Sequence, residues 1–138
     1  MSRVFANPLT ELAEFEQLLE CLKKKKGPVQ VSGCLDSQKV HLMQETVADR
    51  PWKLVVTYDD ARAREIYDDF GCFRDNVWLY PAKDLLFYSA DIHGNLLTRE
   101  RLQVLRHLME DQNGVVVTTM DGLMDHLLPL RCMQEQVL

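Results

Sequence analysis

Two short apolar runs, "WKLVVTYDD" beginning at Trp52 and "VVVTT" beginning at Val115, constrain the fold of this chain more than any other feature. Neither run alternates apolar with polar residues, so both faces of each strand need cover, which is the demand of a buried parallel sheet. The segments between them agree. Ala63, Ile66, Tyr67 and Phe70 recur at helical spacing, and "NVWLYPA" predicts a third short strand ended by Pro81.

The remaining chain extends the alternation in both directions. An amphipathic helix is expected from Pro8 to Lys26, carrying Leu12, Phe15, Leu18, Leu19 and Leu22, with Asn7 as its cap and Gly27-Pro28 as its stop. Lysines 23 to 26 fall in its last turn, where the helix dipole favours cations. A strand is expected over Val29–Ser32, then a helix from Ser37 to Asp49 with Val40, Met43 and Val47 inward. The stretch "AKDLLFYSADIHGNL" has no clean period and reads as an excursion. Thr98 is placed to cap a helix with Leu102, Leu105, Leu108 and Met109 inward and Arg99, Arg101 and Arg106 on a solvated face. Gly114 closes that helix, and Asp121 is expected to cap a last short helix ending near Pro129. Four strands alternating with helices define an α/β fold: a parallel sheet with helices on both faces. The expected domain spans residues 1–130, with residues 131–138 as the start of a connector.

Composition narrows the function. A chain of 138 residues, 46% hydrophobic and 27% charged, is long enough to bury one core. Its net charge of -5 sets the general field against a phosphate backbone, so nucleic-acid binding would need a local basic patch. Cys21, Cys34, Cys72 and Cys132 form no C-x-x-C pair and no zinc-ligand spacing, which fits reduced thiols in a cytoplasm. No apolar run reaches membrane-spanning length, and the N-terminus lacks a signal peptide's apolar region. The expected location is cytoplasmic.

The chemistry centres on "VSGCLDSQKVH", which begins at Val31 where a strand would hand the chain to a helix. A phosphate loop reads G-x-x-x-x-G-K-[ST], and Gly33 and Lys39 occupy its first glycine and its lysine. Gln38 stands where the second glycine folds the backbone around phosphate, and Val40 stands where a hydroxyl holds magnesium. Asp36 adds a carboxylate inside the anion cradle. The expected site is therefore a degenerate phosphate loop, with Gly33 and Lys39 as remnants of nucleotide binding and with no catalytic or metal-binding residue.

Other constellations have bland readings beside sharp ones. Asp59 and Asp60 follow a strand, as an ATPase or phosphoacceptor carboxylate would, but an aspartate capping the next helix explains them as well. Cys34 at a helix start can have a lowered thiol pKa or be an inert buried cysteine. His41, His93, His107 and His126 show no ligand spacing. Two rival functions remain on the residues alone: a small autonomous phosphate-loop ATPase or kinase using Lys39 with Asp59 or Asp60, and a single-strand DNA-binding module. The second would stack bases on Tyr80, Phe87 and Tyr88 near Lys83 and meet phosphates with Arg99, Arg101 and Arg106.

The ordered set "LTELAEFEQLLECL", "VSGCLDSQKVHLM", "WKLVVTYDDARAREIYDDF", "LYPAKDLLFYSADIHGNLLTRERLQVLRHL" and "VVVTTMDGLMDHLLP" resembles the N-terminal region of the bacterial transcription-repair coupling factor (Mfd) family. That region is similar in turn to the first domain of the excinuclease protein UvrB, a helicase-type fold. The resemblance implies a helicase-like domain whose phosphate loop has decayed, and a scaffold role without hydrolysis. In the parent, ATP and magnesium belong to a later motor; this fragment would hold neither. The implied partners of the parent are RNA polymerase, the excinuclease protein UvrA and double-stranded DNA, alongside the remaining domains of the same polypeptide. The damage-probing hairpin of UvrB has no counterpart in "LYPAKDLLFYSADIHGNL", so damage sensing is not implied.

Overall fold

The computed structural model describes residues 7–24, 27–82 and 91–127. Three strands, β1 (Trp52–Thr57), β2 (Val77–Tyr80) and β3 (Gly114–Thr119), form a parallel sheet in the order β1-β3-β2. Pairing is continuous from Trp52 opposite Gly114 to Thr57 opposite Thr119, and from Val77 opposite Val115 to Tyr80 opposite Thr118. Every residue of β3 is buried, as its unbroken apolar run requires of a central strand.

Among the described residues six helices accompany the sheet: α1 (Asn7–Thr10), α2 (Ala13–Lys24), α3 (Asp36–Thr46), α4 (Asp60–Gly71), α5 (Asp91–Glu110) and α6 (Met120–Met124). The path from β1 to β2 crosses over β3 through α4, whereas the path from β2 returns to β3 through α5. Right-handed crossovers that run in opposite directions put their helices on opposite faces. The cores follow that rule. Val115 and Val117 join Val40, Ala63, Ile66, Phe70 and Val77 beneath α3 and α4. Val116 turns the other way and joins Tyr80 and Val104 beneath α5, with Trp52, Trp78 and Leu105 around them.

A glycine at position 114 is a steric requirement. A Cβ there would collide with the Trp78 ring and lie 2.8 Å from that of Trp52. The two indoles meet across this gap, 5.5 Å apart, and His107 of α5 stacks on Trp78 at 4.9 Å.

Several expected elements differ. Residues Val29–Ser32 are not a strand, and Val29 and Val31 are 39% and 49% exposed. Their β-propensity is not realised: the segment lines the groove beside α2 and α3 and does not extend the sheet. The single N-terminal helix is two helices broken at Glu11-Leu12, and Lys25 and Lys26 lie outside the described residues. Helix α5 begins at Asp91 rather than Thr98, so part of the expected excursion is helical. Its buried stripe is Arg101 and Val104, while Leu102, Leu108 and Met109 are exposed: the face is turned from the one expected. Helix α6 is capped by Thr119, whose hydroxyl accepts from Gly122 N–H at 3.1 Å, and Asp121 sits in its first turn. It ends at Met124.

Candidate functional site

The loop before α3 is built from the residues that depart from the phosphate-loop pattern. Gly33 has φ of 84°, a left-handed conformation that glycine adopts without strain. Leu35 is the N-cap, and its N–H donates to the Gln38 side-chain oxygen at 3.2 Å. Gln38 thereby satisfies a backbone donor that helix starts otherwise leave open. Val40, in place of the magnesium-holding hydroxyl, is fully buried in the core under α3 and α4.

Charge at the loop is balanced within the chain. Asp36 lies in the first turn of α3, where the helix dipole favours an anion. One of its carboxylate oxygens accepts from Lys39 Nζ at 2.9 Å and from Arg62 Nη2 at 2.9 Å. Arg62 reaches Glu65 with its other terminal nitrogen, Nη1, at 2.6 Å. The hydrogen bond from Lys39 and the nearby Arg62 guanidinium hold the Asp36 carboxyl below its ordinary value. Two cations and two carboxylates thus close a network, and the lysine of the would-be nucleotide site is already engaged.

Gly33 and Lys39 border one groove of about 560 Å³, with Leu18 and Leu22 of α2, Val29 and Val31 of the connecting segment, and Leu42 and Met43 of α3. Its lining is mainly aliphatic, unlike a polyphosphate cradle of convergent amides. The segment that leads into Gly33 is also irregular, whereas a phosphate loop is carried by a strand of the sheet.

Beyond the C-terminal strand ends, where open α/β sheets bind ligands, this chain places its own side chains. Arg101 is buried; its Nη1 donates to Asp125 at 2.6 Å and to the Pro81 carbonyl at 3.1 Å, with the guanidinium 4.4 Å from the centre of the Tyr80 ring. The Thr118 hydroxyl donates to the Tyr80 carbonyl at 2.9 Å. Gly122 presses so closely on Thr118 that an added Cβ would come within 2.6 Å of its hydroxyl. Burial raises the Tyr80 phenol above its ordinary pKa.

Asp59 caps α4, accepting from Arg62 N–H at 2.6 Å, and Asp60 is exposed in the first turn. Neither meets Lys39 in an ion pair. His41 stacks on Phe73 at 5.6 Å, His107 pairs with Asp111 at 2.9 Å, and among the described residues no group of histidine, cysteine and carboxylate side chains could hold a metal. Cys34 is half-buried on the groove. Arg101, expected on a solvated face, is an interior residue and is closed to a nucleic-acid backbone. Lys83, Phe87 and Tyr88 lie outside the described residues, as does the side chain of His93. Sequence reading missed Arg62 and Arg101 as organising residues. Their partners Asp36 and Asp125 are 26 and 24 positions away, so no local spacing marks either pair.

The fold and the loop together define an α/β domain with a small three-stranded parallel sheet. Compared with curated proteins, the chain is similar to the transcription-repair-coupling factors of two strains of Staphylococcus epidermidis, at 25% identity over 133 residues in each. The similarity covers 94% of this chain and only 11% of those relatives. No protein-family model matches the chain, and no solved structure does. No described helix is long and apolar enough to cross a membrane.

Proposed function

We propose that this chain is a non-hydrolysing, helicase-like scaffold domain of a transcription-coupled DNA repair translocase. One observation carries the reading: the lysine of the degenerate phosphate loop is held by Asp36, which Arg62 holds as well. A triphosphate entering there would have to displace a carboxylate from two cations. The carboxylate also carries the same sign of charge as the triphosphate and so opposes its approach. The similarity to coupling factors along a small part of their length supports the parent class.

In this reading residues 1–130 form the domain and residues 131–138 begin a connector. Gly33 and Lys39 are vestiges of nucleotide binding; ATP and magnesium act in the motor of the parent. The domain supports the module that recruits the excinuclease protein UvrA, in a cytoplasmic enzyme that engages stalled RNA polymerase and double-stranded DNA. Calorimetric titration with a magnesium-bound, non-hydrolysable ATP analogue, paired with a phosphate-release assay, tests the reading. The expected result is no binding up to about 1 mM, weaker than about 4 kcal/mol of affinity, and no turnover. Micromolar affinity with turnover would overturn it and favour an autonomous ATPase.

A further inference from the structure

A second group of cations lies at the end of the sheet away from the degenerate loop. Lys53 is the second residue of β1, and Arg74 stands between the end of α4 and the start of β2, whereas the loop meets the opposite end of α4 through Asp36 and Arg62. Lys53 is 7% exposed, and its Nζ donates to the Arg50 carbonyl at 3.0 Å. Arg74 is the less satisfied of the two. Its Nε and Nη1 are enclosed and have no hydrogen-bond partner. A guanidinium cannot shed its charge, so enclosed N–H groups of this kind require an acceptor from somewhere.

The acceptors close by are already used. Asp69 gives its carbonyl to Cys72 N–H at 3.2 Å, and Phe70 gives its own to the N–H groups of Phe73 and Arg74 at 2.9 and 3.1 Å. Among the described residues no carboxylate forms an ion pair with Lys53 or Arg74. Burial first, and then the charge of Arg74, pulls the Lys53 ammonium below its ordinary pKa, and the attraction of Asp49 offsets this only in part. Two like charges therefore share one partly enclosed corner.

We propose that Lys53 and Arg74 together hold a tetrahedral oxyanion of the phosphate class. Charge and donor number favour phosphate over a carboxylate. Two cations match a phosphate charge near −2, and Nε, Nη1 and Nζ have more hydrogens to give than the two oxygens of a carboxylate receive well. Access comes from the turn: Arg74 is half-buried, and Asp75 and Asn76 beside it are exposed. The same group can arrive as free phosphate or as a monoester carried on a larger molecule.

Nitrogen-15 spectra of the intact chain test the seat, titrated with inorganic phosphate and separately with glycerol phosphate, at an ionic strength held constant with chloride. The expected result is a saturable shift of the Arg74 Nε–H and of the Lys53 and Arg74 amides, with a dissociation constant below about 10 mM. The tighter of the two ligands assigns the source: the inorganic ion to free phosphate, the ester to a phosphate on a larger molecule. Arg74→Met and Arg74→Gln remove an enclosed charge, so in chloride their thermal midpoints should equal or exceed that of the native chain. Phosphate at about 10 mM should raise the native midpoint and leave those of both variants unmoved. No saturation in the native chain up to about 10 mM would overturn the proposal. So would shifts or a rise in midpoint that persist in the Arg74 variants, since the anion would then bind elsewhere.

Discussion

The sheet with α4 and α5, and the N-terminal part from α2 to the start of α3, contain similar apolar sequence but use it differently. In the first, Val115, Val117 and Phe70 are fully buried and Val116 nearly so. In the second, Phe15 is the one buried residue of α2, and Leu12, Val29, Val31 and Leu35 are exposed. Apolar residues at a helical or strand period form a core only where a second element offers a face to receive them. The central strand has helices over both of its faces, whereas Val29–Ser32 joins no strand of the sheet. The same contrast divides the ionic groups. Arg101 and Asp125 are enclosed between α5 and the strand ends, while Asp36, Lys39 and Arg62 meet at the surface.

Substitutions should separate the two regions sharply. The largest loss is expected for Phe70→Ala, about 3–5 kcal/mol by urea unfolding, because the ring is fully buried between α4 and the sheet. Arg101→Met should cost about 2–3 kcal/mol in the same measurement, since it strands the half-buried Asp125 carboxylate and the Pro81 carbonyl. A neutral outcome would mean that the latch at the strand ends contributes no stability. Gly114→Val should cost at least about 1–3 kcal/mol through collision with Trp78 and Trp52, with a change in near-ultraviolet circular dichroism as the two indoles separate. Leu22→Ala, on the half-open face of α2, should cost less than about 1 kcal/mol. A loss as large as that of Phe70→Ala would erase the contrast between the regions.

The smallest effect concerns pH. A carboxyl whose pKa is depressed in the folded state stabilises the fold above its ordinary value near 3.8, and that contribution disappears as pH falls through the lowered folded value. Asp36→Asn should remove this part of the acid sensitivity and lower stability at neutral pH by the same amount, which is small because the cluster is solvated. Thermal melts between pH 2 and 5 check the sign: an unchanged acid limb would mean that Asp36 makes no pairing that matters to folding.

Much of the sheet was legible in the sequence because its signals are local. The runs at Trp52 and Val115, the helix with Ala63, Ile66 and Phe70 inward, and the end of β2 at Pro81 appear where periodicity and turn chemistry place them, although Tyr67, expected on the same inner face, is exposed. Val29–Ser32 has the same strand propensity, but whether a segment joins the sheet is decided by tertiary context, of which local sequence carries no record. The turned face of α5 has a different cause. Leucines at helical spacing predict the inner stripe, yet Arg101 is drawn inward by a distant carboxylate, a carbonyl and an aromatic ring. At the loop, the departures from the phosphate-loop pattern at Gln38 and Val40 were legible. The roles taken over by Gln38 as a capping acceptor and Val40 as a core residue required the structure.

Whether Asp36 fills the loop with the chain's own negative charge can be read at a single atom. Carbon-13 titration of the Asp36 carboxyl follows it in the native chain and in Lys39→Gln and Arg62→Gln variants. A native pKa below the ordinary carboxylate value, and a rise in each variant, is the expected outcome. A carboxyl that titrates normally in all three, with loop amides that shift on addition of magnesium-bound ATP, would show instead that the loop still receives a nucleotide.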